Sequence, residues 1–206
     1  MDDQSYQKLS EEIEELKEHT GKQRGEPIKY FVKYVKEKEG EEKFAELEKL
    51  LKKMGVDISN VGDLTNTELI PEHVPQAFIV AAARLFNWTE EDVFEMARSA
   101  VPLSLHLKVF IKYFASIEKG VKATGKFWRR EYTRGYLEAE KFKKKGKHGE
   151  IVLSLNDFKN HPLIYAFIRG FISHEVQLIT GADKVEVKGE RKPDKGKERY
   201  KIYVKW

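Results

Sequence analysis

Apolar residues recur at steps of three and four along most of the first 130 positions, and each such run reads as an amphipathic helix. Leu9, Ile13 and Leu16 form a narrow seam on a short charged helix from Leu9 to Glu18, broken by Gly21 to Gly25. Pro27, a favoured first-turn residue, opens a second run through Ile28, Phe31, Val32 and Val35 that ends at Gly40. Phe44, Leu47, Leu50 and Leu51 make a third, closed by Gly55, and Asp57 to Glu68 reads as a loop. Thr67 to Pro71 sets up a helical run through Phe78, Ile79, Ala82, Leu85 and Phe86. Thr89 with Asp92 then caps the run of Val93, Phe94, Met96 and Ala97. After Pro102, the residues Leu103, Leu107, Phe110, Phe114 and Ile117 predict a helix ending at Gly120, followed by a short basic-aromatic helix or turn from Val121 to Arg130.

The period changes near Tyr132. Tyr132, Arg134, Tyr136, Glu138 and Glu140 alternate with Thr133, Gly135, Leu137 and Ala139, a turn runs from Lys145 to Gly149, and a second strand runs from Ile151 to Leu155. Asn160-His161-Pro162 opens a long helix carrying Leu163, Ile164, Phe167, Ile168, Phe171, Ile172, Val176 and Ile179, stopped by Gly181. A second hairpin follows: Val185 and Val187, a turn from Pro193 to Gly196, then Tyr200, Ile202, Val204 and Trp206 alternating with polar partners. Each strand has one apolar row to bury. The order therefore predicts an α+β fold, with an N-terminal helical layer followed by a β-β-α-β-β four-stranded antiparallel sheet and one long helix packed on it. Residues 1–25 are expected to be an amphipathic helix that is mobile or an interaction segment, 26–130 the helical layer and 131–206 the α+β half, with 26–206 as one integrated domain.

Composition narrows the function. The chain has 206 residues, 40% of them hydrophobic, enough for one sizeable core or two small ones. Its 38 basic and 34 acidic side chains nearly cancel to a net +4, which argues against a dedicated nucleic-acid binder. With Cys at 0 there is no disulfide, thiolate nucleophile, Cys-ligated zinc, iron–sulfur cluster or c-type haem attachment. No apolar run is long enough to span a bilayer, and Met1-Asp2-Asp3-Gln4 lacks a leader pattern, so a cytoplasmic protein is expected. Abundant Lys and Glu with sparse Gln and Asn is the drift reported for hyperthermophilic proteins. Ser173-His174-Glu175 occupies three consecutive helical positions about 100° apart and cannot converge as a triad. With no catalytic signature, the expectation leans away from an enzyme.

Taken in order, several short motifs of the C-terminal half carry a resemblance. They are Gly135-Tyr136-Leu137-Glu138, the basic glycine turn, Asn160-His161-Pro162, Phe167-Ile168-Arg169-Gly170-Phe171, Thr180-Gly181-Ala182 and Tyr203-Val204-Lys205-Trp206. From about Ile28 to Trp206 the chain resembles the superfamily that joins haem-NO-binding domains, 4-vinyl reductase domains and Golgi-transport tethering subunits, closest to a branch expanded in myxobacteria. The resemblance implies helices over an α+β core with a ligand or lipid cavity between them. Haem is not expected, because the Tyr-x-Ser-x-Arg element that serves haem propionates in that family is absent here, and no cofactor or metal is assigned.

Candidate ligand contacts come from the helical rows. His174 lies on the row Ile164, Phe167, Phe171, His174, Leu178, and His106 on the row Leu103, His106, Phe110, Tyr113, Ile117. A buried neutral imidazole is more often a satisfied core residue than a ligand contact. Phe110, Phe114, Phe127, Trp128, Phe167 and Phe171 read either as plain core or as the lining of an apolar pocket. Arg129, Arg130, Lys143, Lys144 and Lys145 fall in the densest basic region, a candidate anion site or a solvated hairpin tip. The leading expectation is a non-enzymatic module that binds or senses a small hydrophobic molecule. The alternative is a protein-interaction or scaffolding subunit, or a homodimer, acting through the Leu9, Ile13 and Leu16 seam and the sheet edge.

Overall fold

The computed structural model describes residues 1–100, 116–193 and 196–206. The helix expected from Leu103 to Ile117 lies almost wholly outside them, as do the candidates His106, Phe110 and Phe114. The described chain is α+β, with seven α-helices and two antiparallel sheets, and it divides into two compact units. Unit 1 holds Met1–Met96 with Asn160–Phe167, and unit 2 holds Ala97–Lys159 with Ile168–Trp206.

Unit 1 is helical. Its elements are α1 (Asp3–Lys17), α2 (Glu26–Glu39), α3 (Glu41–Lys53), α4 (His73–Phe86) and most of α5 (Glu90–Ala100). Asp2 caps α1 by accepting the Ser5 N–H at 2.8 Å, so the helix begins six residues before the apolar seam that announces it. Leu9, Ile13 and Leu16 are buried within this chain, and α1 packs on α4. The seam is therefore occupied and does not serve as an open docking face. From Pro75 to Ala83 every residue of α4 is buried, the mark of a central core helix with no solvent face. Asn87 ends it in the left-handed conformation. The cap expected at the next helix is present: Thr89 N–H donates to Asp92 Oδ2 at 2.8 Å, and Asp92 N–H donates to Thr89 Oγ1 at 3.2 Å.

Two short segments depart from expectation. Lys22–Arg24 forms β1 and pairs antiparallel with β2, Leu69–Pro71, where the sequence led directly into a helix. Three-residue strands are too short to show a period, and only tertiary pairing reveals them.

Unit 2 contains the four-stranded sheet. A single helix, α6 (Ile117–Glu131), runs through Gly120 where a stop was expected. Gly125 explains part of this, since a Cβ there would lie 3.1 Å from the Leu137 carbonyl oxygen, and the helix can approach the first strand only without one. That strand, β3 (Tyr136–Lys145), starts four residues later than expected and reaches further. Tyr132 is instead the cap residue of α6, its ring stacked 4.3 Å from Trp128, and Gly135 at φ +66° turns the chain into the sheet. The hairpin turn is only Gly146-Lys147, joining β3 to β4 (His148–Asn156). Helix α7 (Pro162–Thr180) supplies its first turns to unit 1 and the remainder to unit 2. Strands β5 (Glu186–Arg191) and β6 (Arg199–Lys205) complete the sheet in the order β3-β4-β6-β5, all neighbours antiparallel.

The register places Leu137, Leu153, Leu155, Ile202 and Val204 on one buried face. The other face is polar: Lys201 pairs with Glu140 at 2.8 Å, Lys141 with Glu150 at 2.7 Å, and Arg199 Nε donates to Asn156 Oδ1 at 3.0 Å. A shift in register between Ala139 and Lys141 marks a bulge in β3.

Candidate functional site

The ligand candidates that the structure describes are divided between the units. Phe167, in unit 1, is buried and meets Phe31 edge-on with ring centroids 5.0 Å apart. In unit 2, Phe127 of α6 stacks on Phe171 of α7 at 6.3 Å. His174, one turn beyond Phe171, is half-buried. Burial lowers the His174 imidazole below its ordinary value and the Arg98 charge lowers it further, so the ring is neutral at pH 7 and one nitrogen is an acceptor.

Trp128 is placed differently from its neighbour Phe127. It is buried, stacks on Tyr132 and meets Phe158 edge-on at 5.2 Å, and its Nε1 donates to the Arg134 carbonyl at 3.0 Å. Its polar atom is thus already used by the α6-to-β3 connection.

Three polar features were not visible as such in the sequence. Glu175 follows His174 and shares the Phe171 face at a spacing of four. Its Oε1 is buried without a hydrogen-bond partner among the described residues, and burial, with the Glu131 charge beside it, pushes the carboxyl up to about 8. At neutral pH it is mostly a carboxylic acid that can both donate and accept.

Gln76 is the second. It is buried in α4 with both side-chain amide atoms unpaired among the described residues. Its one sequence signal is an amide standing in an otherwise apolar stretch from Val74 to Ala83.

The third is a polar pin in unit 1. Glu12 of α1 accepts from Arg84 Nε at 2.9 Å and Nη2 at 2.6 Å, and His161 Nε2 lies 3.6 Å from it. His161 Nδ1 accepts the Leu163 N–H at 3.2 Å and so caps α7. Glu12 pays a burial cost, but the hydrogen bonds from His161 and Arg84 outweigh it and hold the carboxyl down at about 2. The members come from three distant parts of the chain, which no spacing rule connects.

The candidate anion contacts are all exposed. Arg129 and Arg130 lie in the last turn of α6, and Lys143, Lys144 and Lys145 in the end of β3. Lys144 is 3.4 Å from Glu118 and so already has a carboxylate.

No family model matches the sequence, and no curated protein is similar to it. Solved structures do share its fold. An oxygen-binding H-NOX domain related to soluble guanylate cyclases aligns with a TM-score of 0.55 and 16% identity over 88% of this chain and 94% of that one. A double variant of an H-NOX domain gives 0.58 and 18% over 89% and 94%. A variant of the T. tengcongensis H-NOX domain gives 0.54 and 16% over 88% and 96%. The fold is thus H-NOX-like, the class within which the motif resemblance pointed.

That fold raises the question of haem, which needs an axial donor and cationic partners for its propionates. A neutral His174 has the chemistry of an axial donor, but the Tyr-x-Ser-x-Arg element is absent. Arg134, which follows Tyr132, is engaged in unit 2 itself: Nη1 donates to the Lys159 carbonyl at 3.2 Å, and the guanidinium sits 4.5 Å above the Phe158 ring. The described residues also contain no group of three His, Asp or Glu side chains suited to a metal. No chemistry is derived through haem. Among the described residues no helix is long and apolar enough to cross a membrane.

Proposed function

We propose that this chain is a cytoplasmic, non-enzymatic sensor or carrier domain that binds a small, largely hydrophobic molecule. The observation that carries the reading is Gln76, whose buried amide lacks hydrogen-bond partners among the described residues. Leaving a buried amide unpaired costs about 1–3 kcal/mol per group, so such an amide is expected to meet a bound molecule or an ordered water. The H-NOX-like fold supports the reading, because one structural neighbour is described as oxygen-binding. The stacked Phe127 and Phe171 with the neutral His174 add an apolar surface beside a few polar groups, the usual composition of a small-molecule site. Phe167 of unit 1, and His106, Phe110 and Phe114 outside the described residues, are further candidate contacts by their helical rows. The order of the C-terminal motifs supports placing the chain nearest the branch expanded in myxobacteria.

Native mass spectrometry of protein purified from its own source, with an absorbance scan, tests this. The expected result is a co-purifying small molecule without a Soret band, lost in Gln76→Leu while that variant melts at or above the wild-type temperature. A clean apo mass, with no apolar additive raising the wild-type melting temperature, would overturn the reading. A Soret band would replace the hydrophobic molecule with haem.

A further inference from the structure

The near-neutral total conceals a separation of charge. Residues 116–150 carry eleven basic and five acidic side chains, a net of +6, whereas the rest of the chain carries 27 basic and 29 acidic, a net of −2. On α6 every exposed position is a cation: Lys119, Lys122, Lys126, Arg129 and Arg130. Lys119, Lys122, Lys126 and Arg129 make no ion pair among the described residues. Like charges three and four apart repel on a helix, and Lys119 stands in the first turn, where the helix dipole disfavours a cation. The arrangement opposes the stability of α6, and such local conflicts tend to mark functional surfaces.

The same chain carries the opposite stripe. Residues 1–18 hold seven acidic and two basic side chains, and on α1 and its C-cap residue the face opposite the buried Leu9, Ile13 and Leu16 exposes Glu11, Glu15 and Glu18. Both helices are 15 residues long. Read from Glu18 back to Glu11, the carboxylates step by three and then four, and Lys119, Lys122 and Lys126 step by three and then four in the forward direction. At 1.5 Å rise per residue both intervals match along antiparallel axes, at about 4.5 and 6 Å.

We propose that α6 of one copy docks on α1 of a second copy, Lys119 facing Glu18, Lys122 facing Glu15 and Lys126 facing Glu11. The association is electrostatic, reversible and weakened by salt, because exposed ion pairs are screened within about 8–10 Å at physiological ionic strength. A nucleic-acid backbone would also seek a lysine stripe. The stripe offers no exposed aromatic ring for base stacking, since Phe127 and Trp128 turn inward, and the matched carboxylate row on α1 favours the second copy.

Sedimentation velocity of the full chain, at several concentrations in low and high salt, tests this without reference to any ligand. The mass should rise above 24.0 kDa with concentration in low salt and return to the monomer in high salt. Lys122→Glu with Lys126→Glu should stay monomeric, as should Glu11→Lys with Glu15→Lys. An equimolar mixture of the two double variants should associate again, because the reversed stripes complement each other. A wild-type monomer at every concentration in low salt would overturn the proposal, as would association that ignores both reversals. A wild-type monomer that instead retards duplex DNA through Lys122 and Lys126 would assign the stripe to nucleic acid.

Discussion

Unit 1 builds its core around a helix buried on every side, and unit 2 around one face of a sheet. In unit 1 a nearly all-apolar helix, α4, is buried over Pro75–Ala83, the Glu12, Arg84 and His161 pin is partly buried, and ion pairs such as Lys36 with Glu41 lie on the surface. In unit 2 the sheet buries one apolar face and lays a network of ion pairs over the other, with Lys201 on Glu140 and Lys141 on Glu150. Large side chains fill the core of unit 1, where α4 must fit among its neighbours. In unit 2 the fit depends on what is missing at glycines: a Cβ on Gly149 would collide with the Trp206 ring, and one on Gly189 with the Tyr200 ring. The Phe78 site is thus sensitive to deleting atoms and the Gly149 site to adding them.

Deleting atoms in unit 1 should have the largest effect. Phe78 is fully buried, and Phe78→Ala is expected to cost about 3–5 kcal/mol in a denaturant titration. Adding one methyl in unit 2, by Gly149→Ala, should cost about 2–3 kcal/mol by the same measurement, because the Trp206 ring has to move. Equal tolerance of both changes would erase the contrast.

The two perturbed carboxyls sharpen the comparison, since they give pH dependences of opposite sign. Glu175 of unit 2 is raised to about 8. In the unfolded chain it ionises near its ordinary 4.5, so stability is lost as pH rises from there through about 8. Glu175→Gln should therefore stabilise by about 2 kcal/mol at the alkaline end and by little at pH 4, read as the difference between two melting series. Glu12 of unit 1 is lowered to about 2, so its contribution is present above the unfolded value near 4.5 and is lost as pH falls toward 2. Glu12→Gln should cost about 1–2 kcal/mol at pH 7 and converge with wild type in acid. The smallest expected effect is the loss of a local cap: Thr89→Ala, which removes the Thr89 hydroxyl from its reciprocal bonds with Asp92, should cost about 1 kcal/mol.

Periodic patterning fixed most elements before any coordinates. The helices around Phe31, Leu47 and Phe78, the cap at Thr89, the long helix opened at Pro162 and both late hairpins follow from spacing and punctuation, because amphipathic burial and capping act within a few residues. Less local features were hidden. The β1–β2 pair joins segments nearly fifty residues apart, the Tyr132 ring ends α6 by stacking on Trp128, and Gly125 permits contact with a carbonyl on another element. For the candidate site, the rows containing Phe167, Phe171 and His174 were legible, but their division between the two units was not.

What the sequence determined by itself is the order of most helices and of the four strands of the larger sheet, the α+β class and the absence of cysteine chemistry, since these depend on composition and short-range spacing. Only the tertiary structure decided that Glu12, Arg84 and His161 meet, that the Gln76 amide and the Glu175 Oε1 are buried without partners among the described residues, and that the cations of α6 remain on the surface. Burial and pairing are set by which distant segments share a neighbourhood, and the energy of a polar group depends on that neighbourhood more than on the residues beside it in the chain.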